Sequence, residues 1–80
     1  MSETVTAYVL IQTEVGKAAR VAAELAQLEG VASADAVTGP YDVIVRVRAA
    51  SVDELGRLIA SRLQLVEGIT RTVACAVVNL

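Results

Sequence analysis

Residues Thr4 to Gln12 read TVTAYVLIQ, and residues Glu14 to Leu28 read EVGKAARVAAELAQL. Between them the period of the apolar side chains changes, and that change decides the fold. In the first stretch Val5, Ala7, Val9 and Ile11 occupy one phase, and Tyr8 and Leu10 with Thr6 occupy the other. Such a run, rich in β-branched and aromatic residues, predicts a strand with apolar surface to bury on both sides. In the second stretch Ala18, Val21, Ala22, Leu25 and Leu28 recur at steps of three and four, while Lys17, Arg20, Glu24 and Gln27 face away. That spacing predicts an amphipathic helix, and its many alanines are the best helix formers. Gly30 is well placed to end it.

The pattern then repeats. Val31 to Val37 (VASADAV) is a weaker strand, interrupted on one phase by Ser33 and Asp35, which suits an edge. Thr38-Gly39-Pro40-Tyr41-Asp42 has the composition of a turn. Val43 to Arg48 (VIVRVR) alternates, with Val43, Val45 and Val47 facing the core. Ser51-Val52-Asp53-Glu54 has the spacing of a capping box, and Val52, Leu55, Leu58, Ile59 and Leu63 follow as an apolar stripe. After Gly68, Ile69 to Val78 (ITRTVACAVV) is apolar on both phases beyond Arg71. The order is β-α-β-β-α-β. Right-handed crossovers put both helices on one face of the sheet. The expected fold is therefore α+β and ferredoxin-like, a four-stranded antiparallel sheet with two helices on one face. The other face stays open although its strands carry apolar residues there, so a second copy is expected to cover it, sheet to sheet or edge to edge.

Composition narrows the function. Eighty residues make one domain, expected to span positions 1–80 and to leave no room for a separate DNA-binding domain. One Cys and no His exclude an internal disulfide and a zinc site, so no metal or cofactor is expected. A net charge of −2 with only two aromatic residues argues against a self-sufficient nucleic-acid binder. No apolar run reaches the ~18 residues a membrane helix needs. Met1-Ser2-Glu3-Thr4 lacks the basic start of a signal peptide, so a cytoplasmic location is expected.

Little in the chain promises catalysis. Nucleophilic chemistry at Ser or Cys usually draws on a neighbouring base, and the commonest, His, is missing. Asp53 and Glu54 are explained by capping, and Cys75 reads as a buried, inert thiol in an apolar strand. Arg46, Arg48 and Arg71 admit two readings: they face solvent or an ion pair across an oligomer, or one of them holds a carboxylate. The turn at 38–42 also admits two. It is either a plain connection, or a binding loop in which Asp42 takes an ammonium group and Tyr41 supplies an aromatic wall. Thr70 and Thr72 would then add hydroxyl contacts from the last strand.

Thr38-Gly39-Pro40-Tyr41-Asp42-Val43-Ile44-Val45-Arg46-Val47, with Glu67-Gly68-Ile69-Thr70-Arg71-Thr72 some way on, resembles the effector-binding (RAM) domain of the Lrp/AsnC transcription regulators. The likeness extends from Val5 to Val78. It implies a βαββαβ fold whose sheets pair into homodimers, with further assembly into octamer-like rings, and small effectors, commonly amino acids, held in clefts between subunits. Gly39, Tyr41 and Asp42 match the effector turn, and Thr70 and Thr72 match the strand lining the cleft. The family's helix-turn-helix does not precede the first strand, so the resemblance is to a stand-alone form. That form is expected not to bind DNA or membranes, not to be an enzyme, and to act in regulation of amino acid metabolism, including by mixed assembly with a full-length relative. The competing readings are a small dimeric ferredoxin-like enzyme and an amino-acid-binding or assembly module of the ACT type.

Overall fold

A computed structural model of the chain describes residues 4–78, and the reading of Met1 to Glu3 lies outside them. The elements follow the expected order: β1 (Val5–Thr13), α1 (Ala18–Ala26), β2 (Val31–Ala36), β3 (Val43–Ala49), α2 (Val52–Ser61), a short 3-10 turn (Leu63–Leu65) and β4 (Ile69–Ala76). The strands form one antiparallel sheet in the order β2-β3-β1-β4. β2 is an edge, as its polar interruptions suggest. β4 is the other edge, so Arg71 stands on an edge strand.

Register sorts the side chains. Ala7, Val9 and Ile11 pair with Val47, Val45 and Val43, and all six are buried under the helices. Val21, Ala22 and Leu25 of α1, Leu55 of α2 and Leu63 of the 3-10 turn close this core from above. Burying a Val, Leu or Ile side chain stabilises by about 1.5–3 kcal/mol, and this one layer supplies most of the interior a chain this small can build.

Local chemistry sets the element ends. α1 begins at Ala18, where its apolar period starts and four residues into the Glu14–Leu28 stretch, because Gly16 takes a φ of +79° and Lys17 N–H donates to Glu14 O, closing a turn first. α2 begins where expected, with Ser51 Oγ accepting from Glu54 N–H at 3.1 Å. Val52 lies in its first turn and is 69% exposed, so it does not join the stripe. Gly30 has a φ of +92°, and a Cβ there would stand 2.8 Å from Leu58 Cδ2. Its carbonyl accepts from Arg48 N–H at 2.8 Å, so α1's exit, β3 and α2 meet at a point only glycine fits.

The face away from the helices is bare. It carries Tyr8, Leu10 and Gln12 of β1, Ile44, Arg46 and Arg48 of β3, and Arg71, Val73 and Cys75 of β4, by the alternation of the paired strands. Tyr8 is 42% exposed. Cys75 is exposed too, paired across from Tyr8; it is not the buried core thiol its apolar strand suggested. Cys75 lies on the uncovered side, and Ala74 and Ala76 of the other phase are exposed as well.

Candidate functional site

β3 and β4 both run antiparallel to β1, so both start where β1 stops. The turn at 38–42 and the start of β4 therefore converge on Gln12 and Thr13. Gly39 has a φ of +139°, with open space where a side chain would stand. Its place is explained by backbone freedom. Four hydrogen bonds then hold the turn to the strands. Val37 N–H donates to Asp42 O at 2.8 Å and Asp42 N–H to Ile11 O at 2.8 Å. Thr13 N–H donates to Asp42 Oδ2 at 2.8 Å, and Gln12 Nε2 to Pro40 O at 3.1 Å. From the other side, Thr70 Oγ1 donates to Gln12 O at 3.2 Å.

Two cavities flank this junction. One, of about 450 Å³, opens on the bare sheet face and is lined by Leu10, Val37, Thr38, Pro40, Tyr41 and Ile44. Its lining is almost wholly apolar. The other, of about 270 Å³, lies along the β4 edge and is lined by Gln64, Ile69, Thr70, Arg71 and Thr72. There Gln64 Nε2 donates to Thr72 Oγ1 at 3.2 Å. Gln64 belongs to the 3-10 turn, so Thr72 points toward the helix side of the sheet.

The five residues singled out from sequence are thus only partly gathered. Tyr41 lines the apolar cavity, Gly39 lies in the turn with it, and Asp42 is half-buried outside the lining with Oδ2 engaged by Thr13. Thr70 reaches the same junction through Gln12. Thr72 lies on the opposite side of the sheet from Tyr41 and shares the β4-edge cavity with Thr70. The sequence reading missed Gln12, which is bonded to both halves, and the apolar pair Leu10 and Ile44. The topology was the available signal, because a βαββαβ order places the end of β1 against the turn before β3.

Among the described residues no group of three or more His, Cys, Asp or Glu could hold a metal ion, and no helix is long and apolar enough to cross a membrane.

Residues 6–79 match the family model described as the Lrp/AsnC ligand binding domain. An uncharacterized HTH-type transcriptional regulator of Pyrococcus furiosus is 32% identical over 71 residues, 85% of this chain and 47% of the relative. The chain thus spans about half the length of the curated relatives it matches. Among solved structures, TTHA0845 from Thermus thermophilus superposes with a TM-score of 0.87 at 32% identity, covering 95% of each chain. The feast or famine regulatory protein Rv3291c from M. tuberculosis, complexed with L-methionine, superposes with a TM-score of 0.75 at 26% identity, over 95% of this chain and 51% of that one.

Proposed function

The chain belongs to the Lrp/AsnC ligand-binding domain family, and from that premise we propose that it is an effector-binding regulatory module that takes an amino acid at a cleft completed by a second copy. The family is one of regulatory ligand-binding domains, not of enzymes. Its ferredoxin-like fold here serves to present a turn, not a catalytic constellation.

The observation that carries this reading is the state of Asp42. Its Oδ2 is tied to Thr13 N–H, which holds the carboxylate in place one residue on from Tyr41, which lines the apolar cavity. The second oxygen is left for a ligand. A fixed carboxylate beside an apolar recess suits an ammonium group with a hydrocarbon side chain next to it. The methionine held by the M. tuberculosis relative supports the same ligand class. Gly39, Tyr41 and Asp42 form the part of the site on one subunit, and Thr70 and Thr72 face the ligand from another.

The second copy covers the bare face. Tyr8, Leu10, Ile44 and Val73 gain from burial there, and a homodimer is the least assembly, with rings of dimers beyond it. The module is cytoplasmic, needs no cofactor, and makes no contact with DNA through its own acidic surface. It acts in transcriptional regulation of amino acid metabolism, alone or in mixed assembly with longer relatives.

Asp42→Asn tests the assignment, because the amide keeps an acceptor for Thr13 N–H while losing the charge. Calorimetry against the proteinogenic amino acids is expected to find a ligand for the wild type and roughly 10- to 100-fold weaker binding in the variant, the range for a hydrogen bond to a charged group. Equal affinities would remove Asp42 from the site.

A further inference from the structure

We propose that the peptide group between Gln12 and Thr13 ties the start of β4 to the turn, so that Thr70 and Gln12 are positioning residues for Asp42 and the 38–41 loop; what the turn then binds rests on the effector reading above. The carbonyl of this peptide group belongs to Gln12 and its N–H to Thr13. Thr70 Oγ1 donates to the carbonyl at 3.2 Å, and the N–H donates to Asp42 Oδ2 at 2.8 Å. A trans peptide is planar and rigid, and its C=O and N–H point opposite ways. The two bonds therefore leave on opposite sides, one toward β4 and one toward the turn. A carbonyl that accepts a hydrogen bond polarises its own peptide group, which strengthens the bond its N–H donates. Thr70 thus acts on Asp42 through β1.

A bulge puts Thr70 there. β4 pairs Arg71 with Gln12 and Ile69 with Thr13, so Thr70 is an extra residue with no partner on β1. An insertion of this kind bends the strand and re-aims a side chain that regular pairing would send elsewhere. The chain is held just ahead of it. Gly68 is buried with a φ of +101°, and its carbonyl accepts from Glu14 N–H at 2.8 Å. A hydroxyl has one hydrogen to give, and the single hydrogen of Thr70 goes to Gln12 O.

Gln12 acts a second time through its side chain, whose Nε2 donates to Pro40 O at 3.1 Å. Among the described residues this is the only hydrogen bond that reaches residues 38–41, since the others hold the turn at its ends, at Val37 and Asp42. The loop has little else to fix it. Pro40 has no N–H to offer, and Gly39, at a φ of +139°, is the residue type with the most backbone freedom. Gln12 therefore pins the middle of the loop, and Thr70 steadies its end through the shared peptide group.

Both links are read from the full chain with no ligand present. Thr70→Val removes the hydroxyl and keeps the shape, and is expected to move the Thr13 amide-proton resonance upfield in the nuclear magnetic resonance spectrum. Thr70→Ser keeps the hydroxyl and is expected to leave that resonance near its wild-type position. The chain has two tyrosines and no tryptophan, so Tyr8→Phe makes Tyr41 the only tyrosine. In that background Gln12→Met is expected to raise acrylamide quenching of Tyr41 fluorescence roughly 2- to 5-fold, the effect of losing one neutral hydrogen bond. Gln12→Lys restores a donor and is expected to bring the quenching back toward its starting value. A wild-type Thr13 resonance in Thr70→Val would overturn the link from β4 to Asp42. Unchanged quenching in Gln12→Met would overturn the pinning of the loop. Either result leaves the effector reading standing, because calorimetry of Asp42→Asn bears on that reading alone.

Discussion

The two faces of one sheet are built from alternate residues of the same strands, and they have opposite fates. Facing the helices, Val9, Ile11, Val43, Val45 and Val47 are wholly buried. Facing away, Tyr8, Leu10, Ile44 and Val73 are equally apolar in kind but lie on bare surface, among three arginines. One face repays the cost of ordering the chain. The other keeps apolar side chains that no helix of the same chain covers. The period of two along a strand is what allows one segment to do both, since a substitution on one phase need not disturb the other.

That division is open to attack, beginning with the largest effect. Leu25→Ala, on the helix that roofs the inner face, is expected to lower unfolding free energy by about 3 kcal/mol, read from chemical denaturation. Tyr8→Ala on the outer face is expected to leave the fold of the subunit intact. If the outer substitution unfolds the subunit and the inner one does not, the assignment of the faces is reversed. Gly30→Ala is expected to cost about 2 kcal/mol, since the new Cβ meets Leu58 and the backbone keeps a positive φ. Thermal melting measures it, and an unchanged midpoint would show that α1's exit relaxes freely. Ile44→Arg is expected to keep the circular dichroism spectrum and to raise the dimer dissociation constant at least tenfold, ~1.4 kcal/mol, by light scattering after size exclusion. A variant that still runs as the wild-type assembly would mean the partner sits elsewhere. Ser51→Ala, remote from both faces, is expected to cost ~1 kcal/mol through the lost cap on Glu54 N–H, again read from denaturation.

The fold was legible because its signals are local. The shift from two-residue to helical spacing after Gln12, the Ser51 cap and the polar breaks at Ser33 and Asp35 each act over a few residues, and each reappears in the structure. Errors arose where a distant element decided the outcome. Val52 obeys the helical period but lies beyond the reach of the sheet, and Cys75 sits in an apolar run that no helix covers. At the site, the turn from Gly39 to Asp42 stood out by composition. Gln12 did not, since a glutamine closing a strand carries no signal until one knows what lies beside it.

From sequence alone came the order of the elements, the inward valine phase of β3 and the turn worth watching, all set by residue spacing and backbone preference along the chain. Tertiary structure alone decided that Gln12 lies against the turn, that Thr72 turns away from Tyr41, and that β4 is an edge. Those facts depend on strand register and on the order of strands across the sheet. Both are set by the packing of residues far apart in the chain, where local spacing carries no information.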